Sequence, residues 1–377
     1  MPLTVGVLKE TLDGETRVAL TPEITGKLQK LGVSVVMESG AGDGAQIPDD
    51  EYEGVEITDA DGVLKKCGLL FTVQPAAREA VEKMADGSVV SGMMYGHINT
   101  DLVKALQSKK HTGFAMELVP RISRAQSMDV LSSQAAASGY QAALIAATTL
   151  DKFFPMLTTA AGTIRPATVL VIGAGVAGLQ AIATAKRLGA IVKGYDVRGA
   201  TKEQVESLGA KFVDTGVSAE GEGGYARELT DEEKAQQKAA LDKEIATSDV
   251  VISTAAIPGR PAPRIISAAA VEAMKPGAVI VDLAAETGGN CELTKAGETV
   301  IAHRVKIVGP ANLPASLGRH ASDMYARNLF NFIKPAISEE GELNIDWEDE
   351  VFAKTALTYD GEIKHEPTRD AIEGGSA

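Results

Sequence analysis

The sequence predicts an α/β protein with two doubly wound parallel-sheet domains, joined by long helices, and a β-hairpin near the C-terminus. Three observations lead to this prediction. Short apolar strands alternate with helical patterns up to about residue 120, and again from residue 167 to residue 308. A long alanine-rich helical pattern separates these two regions. The chain of 377 residues is also too long for one ordinary hydrophobic core, so two domains are expected.

The N-terminal region begins with a predicted buried strand at residues 4–8. A helix starts at Thr21-Pro22, where a hydroxyl residue precedes a proline at the first helical position, and Gly32 ends that helix. Further apolar runs of strand length cover residues 33–37, 69–73, 88–93 and 113–117. Because helical patterns separate these strands, the sheet is predicted to be parallel.

Two long helical patterns are predicted to connect the domains. Residues 127–154 form the first, and residues 322–333 form a second that could cross back to the first domain. We therefore predict an N-terminal domain of residues 1–126 plus 327–377 and a second domain of residues 127–326. An Asp360-Gly361 pair between two short extended segments predicts the C-terminal hairpin.

The second domain contains the most informative stretch of the chain. Residues 168–172 form a β-branched strand that leads into Gly173, Gly175 and Gly178 and then into a helical run. The first glycine permits a tight turn, the second lets the backbone approach a pyrophosphate, and the third lets helix and strand pack closely. Glycines needed for packing alone are the alternative. Because strand, helix, second strand and acid all follow in order, we favour a Rossmann-like dinucleotide site.

Asp196 follows the second predicted strand, residues 190–195, about twenty residues beyond the glycine turn. A carboxylate at this position accepts the ribose hydroxyls of NAD and repels a 2′-phosphate. Arg198 is a complication, because a nearby arginine can accommodate NADP. Since Arg198 follows the acid rather than replacing it, the sequence favours NAD(H).

A polar, glycine-rich loop covers residues 214–229, and Thr230 with Glu233 then forms a capping box that opens a helix. Such a loop is either a surface insertion or a functional segment. Tyr225, the only large side chain of the loop, follows Gly223-Gly224. We favour a lid, because the glycines provide a hinge beside a ring that can cover a flat ligand.

The composition is that of a soluble globular protein, and it excludes several classes of partner. A net charge of −14 argues against nucleic acids and anionic membrane surfaces. Cys67 and Cys291 are far apart and the five histidines lack metal-ligand spacing, so neither a disulfide nor a metal site is predicted. We see neither a signal-peptide pattern nor an apolar run long enough to span a membrane, which predicts a cytosolic chain.

A segment near the domain junction carries a more specific likeness. Residues 120–134 closely resemble the signature loop of the soluble NAD(H)-binding component of proton-translocating NAD(P) transhydrogenases. The resemblance covers residues 5–335 and includes residues 160–163, 178–182, 201–209, 224–226, 257–263 and 288–292. Lys9-Glu10 and residues 17–22 are shared more widely, with alanine dehydrogenases.

The resemblance implies that this loop holds the nicotinamide end of the cofactor. The catalytic residues it assigns are Arg121, Gln126, Asp129 and Ser132. The arginine offers a forked cation for a phosphate or carboxamide oxygen. The amide, carboxylate and hydroxyl groups can bond ribose hydroxyls and the nicotinamide carboxamide. Without the resemblance, a helix-capping loop with a solvated charged face would be the better interpretation.

The resemblance also implies cofactor-binding residues in the second domain. Beside the glycines of the turn, they are Val176 at the pyrophosphate, Asp196, Val197 and Arg198 around the adenine ribose, Gly224 and Tyr225 in the mobile loop, and Gln237 and Ala256. Ala256 stands where the family usually has leucine, so only a backbone or small apolar contact is implied. Gln237 is the weaker assignment.

The implied activity is hydride transfer between two nicotinamides, which needs no protein nucleophile, metal or general base. The chain contains one dinucleotide fingerprint, since residues 6–9 lack the glycine pattern. NADP(H) is therefore expected on a separate domain or subunit, and proton movement on a membrane-spanning subunit. The family also implies a homodimer that is peripheral to the cytoplasmic membrane through its partners.

Two alternatives remain open from the sequence. One is a stand-alone alanine-dehydrogenase-like enzyme, for which His97 lies near the position of the catalytic histidine of those enzymes. Gln74 stands where they carry a lysine, and it cannot hold a charge. The other alternative is a non-catalytic NAD-binding regulatory module, which would not require an intact loop for the nicotinamide end.

Overall fold

The computed structural model describes residues 2–217, 229–256 and 261–374. The chain divides into two compact units. Unit 1 comprises Met1–Gln134 and Ala315–Ala377, and unit 2 comprises Ala135–Pro314. The domain boundaries predicted from the sequence, after residues 126 and 326, remain a proposal. The lid proposed around Gly224 and Tyr225 lies outside the described residues.

The strands of the described residues are short and most of them are buried. In chain order they are β1 Thr4–Val7, β2 Ser34–Glu38, β3 Glu56–Thr58, β4 Leu69–Phe71, β5 Val89–Gly92, β6 Thr112–Ala115, β7 Leu157–Thr159, β8 Gly162–Ile164, β9 Thr168–Ile172, β10 Ile191–Tyr195, β11 Lys211–Phe212, β12 Val250–Ser253, β13 Val279–Asp282, β14 Thr299–Ala302, β15 Val305–Val308, β16 Ala356–Tyr359 and β17 Glu362–Ile363.

Helices connect most consecutive strands, as a parallel sheet requires. Those of the described residues are α1 Pro22–Gln29, α2 Ala60–Lys66, α3 Arg78–Lys83, α4 Thr100–Ser108, α5 Val130–Thr149, α6 Val176–Arg187, α7 Lys202–Ser207, α8 Asp231–Thr247, α9 Ala268–Glu272, α10 Gly318–Ile333, α11 Glu350–Thr355 and α12 Glu366–Glu373. None of them is both long and apolar enough to cross a membrane.

Unit 1 contains one sheet of strand order β17-β16-β6-β5-β4-β1-β2-β3. Strands β1 to β6 are parallel, and β16 pairs antiparallel with both β6 and β17. The turn between β16 and β17 is at Asp360-Gly361, where both residues have positive φ, so the predicted hairpin is confirmed. Because β1 lies between β4 and β2, the winding direction reverses between β1 and β4.

Unit 2 contains a sheet of strand order β11-β10-β9-β12-β13-β15-β14, parallel except for β14. Counted from β9, this is the Rossmann order, and its winding direction reverses between β9 and β12. The predicted α/β class with parallel, doubly wound, Rossmann-like domains is therefore confirmed. Strands β7 and β8 form a separate two-stranded sheet.

Both faces of each sheet are buried, which explains the continuous apolar strands. In β9, Val169 and Val171 face one core of unit 2, while Leu170 and Ile172 face the other. Unit 1 likewise has a core on each side of its sheet. Burial of one such side chain contributes roughly 1.5–3 kcal/mol.

The first connecting helix is shorter than the pattern of the sequence indicates. The sequence predicts a helix over residues 127–154, but α5 begins at Val130 and a 3₁₀ helix covers Ser123–Met128. The physical reason at the start is Asp129, whose side chain accepts the backbone N–H of Ser132 and so caps the first turn. At the other end, Pro155 disfavours helical conformation in the residue before it.

Candidate dinucleotide site

The glycine turn between β9 and α6 has the close approaches that its sequence predicts. A Cβ on Gly178 would lie 1.8 Å from the carbonyl oxygen of Gly173, so only glycine fits there. Gly173 has a φ of +94°, and a Cβ on it would lie 2.6 Å from Thr254 Oγ1. A Cβ on Gly175, by contrast, would meet no atom within 4 Å, and this residue is exposed. The turn is therefore open at Gly175, where a pyrophosphate would approach.

The N-terminus of α6 lies at this open turn. Gly175 is its N-cap residue and has no side chain to bond the first N–H groups of the helix. Val176, the first helical residue, is 43% exposed. Backbone N–H groups and the helix dipole therefore favour an anion at this point. The geometry fits the pyrophosphate of a dinucleotide.

Asp196 is held at the end of β10 by the glycine turn and by its own loop. Its Oδ2 accepts the backbone N–H of Ala174 at 2.7 Å. Its carboxylate also forms a two-pronged ion pair with the guanidinium of Arg198. Burial raises the pKa of Asp196, but the hydrogen bonds from Arg198 and Ala174 outweigh it, so the pKa is lowered. Asp196 is therefore ionised at neutral pH.

A cavity of about 290 Å³ adjoins this carboxylate and includes Tyr195 and Thr215 among its lining residues. The hydroxyl of Tyr195 accepts a hydrogen bond from Gln237 Nε2 at 2.5 Å. Burial raises the pKa of Tyr195, so it remains a neutral phenol. Gln237, the weaker assignment from sequence, is thus placed beside Asp196 through Tyr195. Val197, which follows Asp196, is half-buried against the same core as Tyr195.

The loop after β12 carries Ala256, which is exposed. Asn290, fully buried, fixes this loop because its Nδ2 donates to the carbonyl oxygens of Ala255 and Pro263 at 2.8 and 2.9 Å. Its Oδ1 accepts from Ser253 Oγ at 2.7 Å. Sequence reasoning assigned no role to Asn290. The Gly-Gly-Asn-Cys-Glu motif of the sequence was the signal that could have found it.

The predicted nicotinamide loop lies in unit 1 and is described there by itself. Arg121 and Gln126 are exposed, the latter on the 3₁₀ helix Ser123–Met128. Asp129 and Ser132 are brought together, since Ser132 donates both its N–H and its Oγ–H to the Asp129 carboxylate, at 2.9 and 2.6 Å. These two side chains thus form a rigid helix start.

The carboxyl ends of the unit 1 strands carry a closed polar network. Arg17 and Glu15 form an ion pair at 2.6 Å, and their side chains are 2% and 0% exposed. Arg17 Nη1 also donates to Gln134, and Gln74 Nε2 donates to Glu15 at 2.7 Å. His97 is exposed. Gln74, which stands at the lysine position of alanine dehydrogenases, is thus bonded to a carboxylate of the chain itself.

The described residues contain no group of three or more His, Cys, Asp or Glu side chains arranged to hold a metal ion. Both cysteines are buried thiols. The chemistry available in the described residues is therefore that of hydrogen bonds, ion pairs and helix N–H groups.

Comparison with known proteins gives two family models that together match most of the chain. The alanine dehydrogenase/PNT N-terminal domain matches residues 6–138, and the C-terminal domain of the same family matches residues 142–366. The first of the chains that make up NAD(P) transhydrogenase subunit alpha in Rhodospirillum rubrum is 46% identical, with 96% of this chain and 98% of the relative covered.

Solved structures agree with these matches. A transhydrogenase from Sinorhizobium meliloti superposes with a TM-score of 0.85 at 42% identity and covers 96% of this chain and 99% of its own. An L-alanine dehydrogenase superposes with a TM-score of 0.81 at 22% identity, over 99% of both chains, which indicates a shared fold.

Proposed function

The chain belongs to the alanine dehydrogenase/PNT family, and on that premise we propose that it is the NAD(H)-binding component of a proton-translocating NAD(P) transhydrogenase. Its relatives support a transhydrogenase-type oxidoreductase, and NAD(H) is the cofactor of the family. The observation that carries the proposal in unit 2 is the open glycine turn with an ionised Asp196 at its end. This pair suits a pyrophosphate and a ribose diol.

In unit 2, the described residues bind and orient the adenosine half of the dinucleotide. Gly175 and the first N–H groups of α6 receive the pyrophosphate, and Asp196 receives the ribose. When bound, NADH supplies a hydride from C4 of its dihydronicotinamide. The protein residues neither gain nor lose a proton in that transfer, so the absence of an aligned general base among these residues is consistent with the reaction.

In unit 1, we assign the orientation of the nicotinamide ring to the loop of residues 121–132. Asp129 and Ser132 are bonded to each other and fix the helix start, which makes the loop rigid. Gln126 and Arg121 are exposed on this support and can reach a carboxamide or phosphate oxygen. Holding the ring within reach of a second nicotinamide is where most of the rate enhancement would arise.

The proposed partners are an NADP(H)-binding domain or subunit and a membrane-spanning proton-channel subunit, through which the chain would be peripheral to the cytoplasmic membrane. We also propose a homodimer. Support for it comes from the separate β7–β8 sheet, whose surroundings expose Phe153, Met156 and Ile164 by 51%, 64% and 46%. An exposed apolar surface beside the strand edges of a small sheet commonly marks an interface.

The experiment that tests the proposal mixes the purified chain with a separately made NADP(H)-binding transhydrogenase component. With NADH deuterated at C4 and NADP⁺ as acceptor, deuterium should appear in NADPH, and only when both proteins are present. Turnover of NAD⁺ and L-alanine by this chain alone would instead support the alanine-dehydrogenase alternative. Tight NADH binding without exchange for any partner would support the regulatory module.

A further inference from the structure

The carboxylate of Asp196 has no free acceptor position in this structure. Oδ1 accepts the backbone N–H of Arg198 at 2.9 Å and its Nε–H at 2.8 Å. Oδ2 accepts the backbone N–H of Ala174 at 2.7 Å and Nη2–H of Arg198 at 2.8 Å. A carboxylate offers about four lone-pair positions. All of them are therefore used by the chain itself.

The four donors differ in whether they can leave. The two backbone N–H groups belong to the glycine turn and to the chain directly after β10, so they hold the carboxylate in place. The guanidinium of Arg198 is the displaceable pair, because it ends a flexible side chain that is 25% exposed while the Asp196 side chain is 6% exposed. Its two bonds use one position on each carboxylate oxygen, as two neighbouring ribose hydroxyls would.

We propose that Arg198 is a specificity-determining residue that occupies the ribose position on Asp196 until a vicinal 2′,3′-diol displaces it. The inference rests on the proposed function, because it takes the adenosine ribose to bind at Asp196. A ligand with both hydroxyls replaces both guanidinium bonds, whereas a 2′-phosphorylated ribose replaces one and brings negative charge to the carboxylate. Arg198 therefore lowers the affinity of every ribose ligand and penalises those without the free diol most.

The test is the affinity of Arg198→Ala for ligands with and without the diol. NADH is titrated by its own fluorescence, and AMP by displacement of NADH. Both should bind about tenfold more tightly than to the wild-type chain, since removing a competing charge-assisted hydrogen bond is worth roughly 1.5–3 kcal/mol. Reduced nicotinamide mononucleotide, which lacks the adenosine ribose, should bind equally to both proteins.

A ligand without the diol separates displacement from a general effect of charge. 2′,3′-Dideoxy-AMP has no reason to expel the guanidinium, so Arg198→Ala should change its affinity less than twofold. Lys202→Ala removes the same charge from the same loop without touching Asp196 and should leave NADH affinity unchanged. Arg198→Gln, which reaches only one carboxylate oxygen, should fall between wild type and Arg198→Ala and serves if the alanine variant does not fold.

Two results would overturn the inference. One is weaker or unchanged NADH and AMP binding to a folded Arg198→Ala protein, which would make Arg198 a positive contact. The other is equal tightening for the dideoxy ligand or for Lys202→Ala, which would make the effect electrostatic and not a displacement. Failure of the proposed function is distinguishable, since the wild-type chain would then bind no NADH or exchange no hydride with its partner.

Discussion

Glu10, which follows β1, accepts the backbone N–H of Val73, which follows β4, at 2.6 Å. These strands are neighbours where the winding direction of unit 1 reverses, a place where open α/β sheets usually bind ligands. Burial raises the pKa of Glu10 from 4.5 to about 7, against the backbone hydrogen bonds of Val73 and Gln74, which lower it. A side chain of the protein therefore fills this crevice, and it titrates near neutral pH.

The raised pKa of Glu10 predicts that unit 1 loses stability as the pH rises from 4.5 to about 7. In that window the folded state holds a proton that the unfolded state has released, so the free energy of unfolding falls, by at most about 3 kcal/mol. Glu10→Gln should flatten this dependence. Urea unfolding followed by the fluorescence of Trp347, the only tryptophan and a unit 1 residue, measures it. Glu53→Gln, an exposed control in the same unit, should keep the wild-type slope.

Gln126→Asn tests the role of the nicotinamide loop. Shortening this exposed side chain by one methylene should misalign the ring without touching the adenosine site. We expect the rate of hydride transfer to a partner-bound NADP⁺ to fall by at least about tenfold, while the Kd for NADH changes by less than about threefold. Stopped-flow transfer and fluorescence titration give the two numbers. Ser123→Ala, on the same 3₁₀ helix, is the control, and equal losses in rate and affinity would contradict the assignment.

Asp196→Ala tests the adenosine site. Loss of the ionised carboxylate removes the acceptor for the ribose hydroxyls and the repulsion of a 2′-phosphate, and it releases Arg198 to pair with that phosphate. NADH should bind at least about tenfold more weakly, and the ratio of NADH to NADPH affinity should fall by a similar factor. Titration with both nucleotides checks this, with Glu203→Ala as a control of equal charge. Unchanged selectivity would show that another group sets it.

Local signals explain how much of this fold the sequence predicted. The capping box of Thr230 and Glu233 forms as expected, because both hydrogen bonds join residues three apart. Gly173 and Gly178 were predictable for the same reason, since their constraint lies within one strand–turn–helix unit. The strand order of each sheet was not predictable, because it depends on pairings between residues far apart in the chain.

The polar contacts of the site illustrate the same limit. Asp196 and Arg198 were both singled out in the sequence, yet their two-pronged pairing depends on the backbone geometry of the turn after β10. The bond between Gln237 and Tyr195 joins residues 42 positions apart and has no sequence signature. Residue type could therefore indicate which groups bind the cofactor, whereas the groups that hold them in place required coordinates.

The apolar surface around the β7–β8 sheet predicts the outcome for the proposed homodimer. Ile164→Asp places a charge on a side chain that is 46% exposed in the isolated chain and would be buried at an interface. Light scattering coupled to gel filtration should then report a monomer where the wild-type chain gives a dimer. Ile301→Asp, at a residue 71% exposed elsewhere in unit 2, is the matched control and should remain dimeric. Dimers from both variants would place the interface elsewhere.

Asn290→Asp separates the structural clamp from the nucleotide contacts. The change keeps the acceptor for Ser253 Oγ but removes both N–H donors to Ala255 and Pro263, and it places a buried charge against two carbonyl oxygens. We expect unit 2 to lose roughly 2–4 kcal/mol of stability, since each unmade bond to a buried group costs about 1–3 kcal/mol. Circular dichroism should show a lower Tm, while Trp347 fluorescence should report little change in unit 1. Ser253→Ala, which removes one bond of the same network, should cost less than half as much, because both donors to the loop remain. An Asn290→Asp protein as stable as wild type would mean that the loop after β12 is held by other contacts.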